Sequence, residues 1–263
     1  MTLNTWGFRW PLARDRALRF RRISSHLGGS GYDIVALQEM WGGARQAMGT
    51  TALAWLKRPL SLAQRGLRMQ DSGLAVKLRQ ELGARARVRT DLSHPFSRGV
   101  GWDWFKSKGV YAVDVALGDS AHVTVATTHL QAGRMFAGVR RSQLDELVAT
   151  LDGVETAVVL MGDFNFHRDC HEDRAAQRVL RSAGFVDVAE AVDRPEPTYL
   201  TANPYVPKSD SDERFDRIYI RDGATHALAA ETADVVIDHT APMSDHEALV
   251  ARLRVTSRSD DRR

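Results

Sequence analysis

Two apolar segments of the chain, residues 34–37 and 157–161, contain no polar residue, which is typical of strands buried on both faces. Apolar residues at helical spacing occur in three other segments: 13–28, 138–151 and 172–183. Because strands and helices are mixed throughout, the sequence predicts an α/β fold in which helices cover packed sheets. The prediction is one domain over residues 1–255, followed by a disordered polar tail, 256–263.

The remaining strands are predicted from shorter apolar and alternating patterns. All predicted strands together are 2–6, 32–37, 73–77, 85–90, 109–117, 121–129, 156–161, 214–220, 226–236 and 247–255. The proline-rich segment 193–212 is predicted to be a loop. The Arg-rich segment 44–69 has a mixed and partly helical pattern.

Composition excludes several other classes of protein. The chain has 263 residues, of which 43% are hydrophobic and 26% charged, and these values exclude disorder, collagen and coiled coil. No apolar stretch approaches the roughly 18 residues of a membrane span. Cys170 is the single cysteine, so an internal disulfide is excluded. A formal charge of +3 permits an anionic partner without requiring one.

Acids, amides and histidines lie at or just beyond the ends of several predicted strands. In layered α/β proteins, strand ends and the loops after them are where sites are built. Side chains of these types suit a hard cation with a general base, a combination that serves phosphoryl-ester hydrolysis. The residues are Asn4, Glu39, His129, Asp163 with Asn165, and Asp245 with His246.

The segment Asp163-Phe164-Asn165 follows one of the two fully apolar runs. Residues two apart in an extended segment share a face, so both polar side chains are expected to point together while Phe164 enters the core. Gly162 is expected to permit a close backbone approach. An Asx turn after the strand is the alternative interpretation.

Two further carboxylates have a functional and a structural interpretation. Glu39 could be a metal ligand or simply an exposed glutamate at the end of a strand. Asp216 could orient His246 and raise its basicity. The alternative for Asp216 is a salt bridge to Arg214 or Arg217.

Six short motifs, in this order along nearly the whole chain, resemble the endonuclease/exonuclease/phosphatase superfamily. They are Asn4-Thr5-Trp6-Gly7, Ala36-Leu37-Gln38-Glu39, Thr128-His129-Leu130, Gly162-Asp163-Phe164-Asn165, Phe215-Asp216-Arg217-Ile218 and Ser244-Asp245-His246-Glu247. The resemblance implies a DNase-like fold, which is a four-layer α/β/β/α sandwich of two mixed β-sheets.

Within the superfamily, three segments are similar to the neutral sphingomyelinases: 3–8, 103–110 and 242–249. A loop at 201–205 resembles that branch more weakly. The inositol-polyphosphate 5-phosphatases share a motif like 162–168, but their Pro-Ala-Trp-Cys run is absent from this sequence. The nuclease branch shares the metal-binding core but lacks the 103–108 segment.

The resemblance also implies roles for the polar residues. Glu39 would be the principal Mg²⁺ ligand, helped by Asn4 and Asp245, with Mn²⁺ or Co²⁺ as substitutes. The other roles concern the phosphate and the water. Asp163 and Asn165 would orient the phosphate and nucleophile, His129 would contact phosphoryl oxygens or the leaving group, and His246 paired with Asp216 would be the general base.

A lysine and an aspartate five residues apart form the proposed switch of the sphingomyelinase branch. Lys108 would approach the phosphate as a movable cation, released from or held by Asp103. The alternative for Lys108 is a solvated cation near a glycine turn.

The function implied by the resemblance is Mg²⁺-dependent hydrolysis of sphingomyelin, or a related choline phospholipid, to a lipid alcohol and phosphocholine. The expected partner is phospholipid at a membrane surface, and the expected state is a monomer. An endonuclease, an exonuclease or a sugar or inositol phosphatase is the alternative, and only that alternative implies nucleic acid. The first residues lack signal-peptide features, which implies a cytoplasmic or peripheral membrane location, or secretion if an upstream signal peptide precedes them.

Three lesser features have two interpretations each. Residues 52–60, Trp102 and Trp104 could insert into a lipid interface or belong to the core. His167, Cys170 and His171 could bind a transition metal, although a polar loop is favoured because no fourth ligand has suitable spacing. An arginine cluster could bind phosphates, but a solvated helix face is favoured. It comprises Arg14, Arg16, Arg19, Arg21 and Arg22.

Overall fold

Two mixed β-sheets lie face to face with helices on their outer sides, as the resemblance implied. This computed structural model describes residues 1–9, 11–41, 53–56, 72–118 and 121–258, with 53–56 described as backbone only. Within these residues one sheet has six strands and the other has seven. The predicted four-layer fold is confirmed.

The six-stranded sheet has the order β12-β13-β1-β2-β4-β3. Its strands are β1 (Thr2–Asn4), β2 (Ile34–Gln38), β3 (Leu53–Leu56), β4 (Ala75–Arg79), β12 (His226–Val236) and β13 (Ala248–Ser257). The parallel pair β1 and β2 lies in the middle, with Asn4 opposite Gln38. This register brings the residues that follow the two strands to the same edge of the sheet.

The seven-stranded sheet has the order β10-β11-β9-β8-β7-β5, with β6 paired to β7. Its strands are β5 (Ala86–Val88), β6 (His94–Pro95), β7 (Gly109–Leu117), β8 (Ala121–His129), β9 (Ala157–Asp163), β10 (Val186–Asp187) and β11 (Asp216–Arg221). The parallel pair β8 and β9 aligns His129 with Asp163, and the antiparallel pair β9 and β11 aligns Asp163 with Asp216. Three polar residues therefore share one row at the sheet's edge.

Three apolar cores separate the four layers. The helices are α1 (Arg16–Gly29), α2 (Gln80–Gly83), α3 (Gly101–Phe105), α4 (Ala137–Asp152), α5 (His171–Ser182) and α6 (Val188–Ala191). One core joins the facing sheets, with Val76 from the first and Val125 from the second. Phe20 and Ile23 of α1 pack on the outer face of the first sheet, and α4 and α5 cover the other sheet.

Most predicted elements agree with the structure, and the differences have local causes. Strands 109–117, 121–129 and 226–236 have the predicted bounds. Helix α1 begins at Arg16 rather than at residue 13, because Asp15 has a positive φ of 51° that interrupts a helix. The last strand continues to Ser257, so its final residues fall in the predicted tail.

The segment predicted as mixed and partly helical contains strand β3 at the edge of the first sheet. The rest of segment 44–69 lies outside the described residues, as do positions 259–263 of the predicted tail. None of the described helices combines the length and apolar character needed to cross a bilayer.

Candidate active site

A cleft of about 600 Å³ opens at the edge where the polar ends of both sheets meet. Seven residues predicted for the site line it: Asn4, Glu39, His129, Asp163, Asn165, Asp245 and His246. The other three predicted residues, Asp103, Lys108 and Asp216, are buried and contact residues of the cleft wall from behind. The structure therefore brings all ten together, from segments far apart in the sequence.

Gly162 allows strands β8 and β9 to approach closely beside the cleft. A Cβ atom at Gly162 would lie 2.0 Å from the carbonyl oxygen of Thr128, and the residue has a φ of +152°. Any side chain at this position would push the backbones of the two strands apart. The expected close approach is thus present, and it sets His129 next to Asp163.

Asp163 satisfies both interpretations of its segment. Its Oδ1 accepts a 2.9 Å bond from the backbone N–H of Asn165, which is an Asx turn. Its Oδ2 accepts a 2.9 Å bond from Asn4 Nδ2 and lies 3.3 Å from His129 Nε2. Phe164 is fully buried, as predicted. The turn orients the Asp163 carboxylate so that its second oxygen, Oδ2, points into the site.

His246 and Asp216 form a buried pair. His246 Nδ1 donates to Asp216 Oδ2 at 2.7 Å, and the Thr198 hydroxyl donates to the same oxygen at 2.8 Å. Burial lowers the pKa of His246, but the charge and hydrogen bond of Asp216 outweigh it and raise that pKa to about 10. The alternative salt bridge for Asp216 is wrong, because Arg214 and Arg217 both pair with Asp187.

Glu39 is buried at the end of β2, with only 7% of its surface exposed, so the exposed-glutamate interpretation is wrong. Its Oε2 has no hydrogen-bond partner among the described residues. Burial raises its pKa to about 7; Lys106 opposes this, whereas Asp245 and Asp163 add to it. A buried, unpartnered carboxylate oxygen among other carboxylates fits a hard divalent cation.

The side chains around Glu39 would supply only some of the ligands that such a cation needs. Asn4 uses its amide toward Asp163 and its Oδ1 toward the Trp6 backbone N–H. Asp245 is partly exposed, and its Oδ1 accepts a bond from Ser244 Oγ. Within the described part of the chain, no three His, Cys, Asp or Glu side chains form a complete metal cluster. A cation held by Glu39 would take its other ligands from water and a phosphate, as Mg²⁺ commonly does.

Lys108 and Asp103 form a second buried pair behind the cleft. Lys108 Nζ lies 2.8 Å from Asp103 Oδ2 and donates to the Leu130 carbonyl at 2.6 Å. Lys108 is 3% exposed, so its interpretation as a solvated cation is wrong. Its Nζ is also 2.9 Å from His129 Nε2. Burial together with the Lys108 charge lowers the pKa of His129 to about 3, so this imidazole is neutral.

Lys106 is a cleft residue that sequence reasoning missed. It lines the cleft, and its Nζ lies 3.1 Å from Asp103 Oδ1. The same ammonium lies over the rings of Phe8 and Trp41, at 4.5 and 5.2 Å from their centroids. The available signal was its position three residues after Asp103, which is the spacing of a helical ion pair.

Two aromatic residues that line the cleft were also missed as site residues. The rings of Tyr199 and Phe215 lie 5.3 and 6.0 Å from the ring of His246. Tyr199 OH donates to Asp210 Oδ2 at 2.8 Å. Because Tyr199 belongs to a proline-rich loop, no strand-end pattern indicated it.

The family model for the Endonuclease/Exonuclease/phosphatase family matches residues 1–246. The chain belongs to this family. Its members are hydrolases of phosphate esters and typically use a divalent metal ion. A search of curated proteins finds no match to the sequence.

Solved structures with the family's fold resemble the chain over nearly its whole length. D. rerio TDP2 complexed with single strand DNA product has a TM-score of 0.76 and 19% identity, over 96% of this chain and 97% of that one. Sphingomyelinase C from Streptomyces griseocarneus has a TM-score of 0.66 and 20% identity, over 95% and 97%. A Staphylococcus aureus beta toxin mutant with bound magnesium ions has a TM-score of 0.67 and 16% identity, over 95% and 97%. At these identities the likeness shows the fold alone.

Two arginines of this family member's first helix, Arg16 and Arg19, bind loop carbonyls, which corrects the prediction of a solvated helix face for these two; Arg21 is exposed, as predicted. Arg19 is fully buried and donates to the carbonyls of Thr5 and Trp6 at 2.6 and 2.8 Å. Arg16 donates to the Gly7 and Trp41 carbonyls. The same helix thereby fixes the segments after β1 and β2; the first directly follows Asn4 and the second contains Glu39.

Of the remaining sequence features, His167 lines the cleft. His167 Nδ1 lies 3.3 Å from Glu213 Oε1, Cys170 is buried and its Sγ lies 3.2 Å from Glu172 Oε2, and His171 begins helix α5. Asn203, in the loop weakly similar to the sphingomyelinases, donates at 2.9 Å to the Ser244 carbonyl and to Glu247 Oε1. It thus fixes that loop against the segment carrying His246.

Proposed function

We propose that this chain is a Mg²⁺-dependent phosphodiesterase that hydrolyses sphingomyelin, or a related choline phospholipid, to a lipid alcohol and phosphocholine. The observation that carries the proposal is the buried Asp103–Lys108 pair, joined to His129 at the cleft wall. Its segment is one of the three that resemble the neutral sphingomyelinases, and it is the one that the nuclease branch lacks. The likeness in fold to Sphingomyelinase C agrees with this choice.

In the proposed reaction, His246 is the general base. Asp216 holds Nδ1, so Nε2 faces the cleft, 4.0 Å from Asp163 Oδ2. His246 would take a proton from water as the water oxygen bonds to phosphorus and the phosphorus–oxygen bond to the lipid alcohol breaks. A Mg²⁺ ion held by Glu39 would supply charge neutralisation at the phosphate and lower the pKa of nearby groups, including His246.

We expect His129, a neutral residue that lines the cleft, to contact the phosphate. The Lys108 ammonium can only donate hydrogen bonds, so His129 Nε2 is the acceptor in the contact between them. The proton of the neutral ring then lies on Nδ1. Nδ1 has no hydrogen-bond partner among the described residues. Lys106, which also lines the cleft, would supply positive charge to the phosphate.

Phosphocholine release from sphingomyelin in mixed detergent micelles tests the proposal, first with Mg²⁺ and then with EDTA. We expect release that requires the metal. His246→Ala and Glu39→Ala should each lower turnover by about 10²–10⁴ while leaving the thermal transition cooperative, since loss of a general base costs that much. Activity close to wild type in either variant would reject the site assignment.

A nuclease-like phosphodiesterase is the second candidate, favoured by the likeness in fold to TDP2 complexed with single strand DNA product. It implies DNA binding that weakens steeply with salt. No phosphocholine release, together with hydrolysis of single-stranded DNA or inositol phosphates by the same sample, would replace the sphingomyelinase proposal and retain the catalytic site.

A further inference from the structure

Three large apolar side chains protrude into solvent beside the cleft. Trp102 is 76% exposed, Met135 is 84% exposed and Phe105 is 39% exposed. We call these three residues the rim patch. Large exposed apolar residues that lie together usually mark an interaction surface.

The rim patch has a rigid base. Trp102 and Phe105 belong to α3, and Met135 belongs to the single turn Arg134–Phe136. Two hydrogen bonds join the two segments: Asp103 Oδ2 accepts a 2.7 Å bond from the Ala132 N–H, and Gln131 Oε1 accepts a 3.0 Å bond from the Val100 N–H. The apolar side chains are therefore held outward by the fold.

The patch adjoins the cleft. Lys106 directly follows α3 and lines the cleft, and Arg134 directly precedes Met135 and lines it too. A surface that covers the rim patch would therefore also meet the cleft mouth.

Charge around the patch favours phosphate groups. Arg98 and Arg134 are exposed on the two joined segments, whereas Asp103 is buried beneath them. Apolar side chains with basic residues beside them are the composition of interfacial membrane-binding segments. Tryptophan in particular suits the head-group region, because its ring is apolar and its N–H is polar.

Single-stranded nucleic acid fits the patch less well. Base stacking needs aromatic faces, and Met135 has none. The rings of Trp102 and Phe105 are inclined at 47° with centroids 6.2 Å apart, so they present no common face to successive bases.

We propose that the rim patch inserts into the head-group region of a phospholipid bilayer and holds the cleft mouth against the lipid surface. The role of this contact in catalysis rests on the proposed function, because the scissile phosphodiester of a membrane phospholipid lies in the head-group region. The contact itself needs neither metal nor turnover. It can therefore be tested apart from the reaction.

The test is cosedimentation of the full chain with vesicles of phosphatidylcholine and sphingomyelin in EDTA, where metal-dependent hydrolysis cannot occur. The variants are Trp102→Ala and Met135→Ala, singly and together, with Val186→Ala as the matched control. Val186 is a 50% exposed apolar residue on β10 at the edge of the second sheet. Each rim variant should lower the partition coefficient by about tenfold and the pair by more, because burial of one large apolar side chain is worth at least that factor. The control should partition like wild type.

A soluble choline phosphodiester separates docking from catalysis. The rim variants should hydrolyse it at the wild-type rate while losing activity on vesicles. Vesicle binding that depends on Trp102 supports the patch even if no choline ester is hydrolysed, in which case only the proposed function fails. Binding equal in wild type and rim variants overturns the inference, as does Trp102-dependent binding of single-stranded oligonucleotide without binding to vesicles.

Discussion

Two lysines share Asp103 but have different surroundings. Lys108 is 3% exposed and has three polar contacts, whereas Lys106 lines the cleft under two aromatic rings. Breaking a buried pair leaves an uncompensated charge, which typically costs about 3–5 kcal/mol. Lys106 stabilises the fold less, because its side chain is partly exposed and Asp103 keeps Lys108 as a partner when Lys106 is removed.

We therefore expect Lys108→Met to lower the free energy of unfolding by about 3 kcal/mol. Lys106→Met should leave stability within about 1 kcal/mol of wild type and lower kcat/KM by tenfold or more, since it removes charge beside the reacting phosphate. Urea unfolding and steady-state kinetics on both variants check this. Equal stability losses would show that the two lysines are not distinguished by burial.

Glu39 makes metal binding depend on pH. Its pKa is raised to about 7, so below that pH a proton must leave before a cation can bind. The rise in Tm caused by Mg²⁺ should accordingly grow from pH 6 to pH 8, and Glu39→Gln should remove the effect. In the metal-free protein, the contribution of Glu39 to stability changes with pH in the opposite direction. The folded state holds the Glu39 proton more tightly than the unfolded chain does, so this contribution falls as the pH rises from 4.5 through about 7. A Mg²⁺-induced shift that is constant across this range would contradict the assignment of Glu39.

At the residue scale, the sequence was informative where a polar residue ended an apolar strand. Glu39 and Asp163 could be placed in this way, and His246 by its position just before the last strand, because strand register determines where their side chains meet. Lys106 and Tyr199 belong to a short helix and a loop, whose positions depend on tertiary contacts. Their place in the cleft could not be predicted from local pattern.

At the element scale, helix α1 acts as a clamp on the loops of the first sheet. The Arg19 guanidinium is fully buried and donates to three carbonyls, those of Thr5, Trp6 and Arg14. The arginine-rich sequence of helix α1 favoured a solvated face. Spacing along the sequence shows which face of a helix a side chain occupies, but not which carbonyls it contacts. The short strand β3 was missed for a related reason, because four apolar residues fit either a strand or a helix.

The clamp can be tested with two arginines of one helix. Arg19→Gln should destabilise the fold by about 2–4 kcal/mol, since it leaves buried carbonyls unpaired. It should also weaken Mg²⁺ binding, because the loops after β1 and β2 lose a common support. The control Arg21→Gln, at an exposed position of the same helix, should stay within about 0.5 kcal/mol of wild type. Thermal unfolding with and without Mg²⁺ measures both effects, and indistinguishable variants would reject the clamp.

At the scale of the whole molecule, the site is divided between the two sheets. Glu39 and His246 adjoin strands of the first sheet, while Asp163 and Asp216 belong to the second. Side-chain hydrogen bonds cross between the sheets near the cleft: Asn4 Nδ2 donates to Asp163 Oδ2 at 2.9 Å, and Gln38 Nε2 donates to Thr127 Oγ1 at 3.1 Å. Family resemblance could predict the two-sheet fold, but these contacts depend on how closely the sheets approach.

The Gln38–Thr127 bond offers a test of this alignment, because Gln38 precedes Glu39 and Thr127 lies two residues before His129. Gln38→Leu and Thr127→Val should each cost about 1–3 kcal/mol, since both residues are fully buried. In a double-mutant cycle the pair should cost less than the sum by about 1 kcal/mol.

Both single variants should also lower kcat, because the halves of the site are no longer held in register across the core. Thr124→Val is the matched control. Thr124 is also a fully buried residue of the same strand, but its hydroxyl bonds to Asp114 on β7 and to Thr156 directly before β9, so its contacts do not cross to the other sheet. It should therefore lose stability and keep kcat. If Thr124→Val lowers kcat as much as Thr127→Val does, the loss reflects general loosening, and the bond between the sheets has no special part in aligning the site.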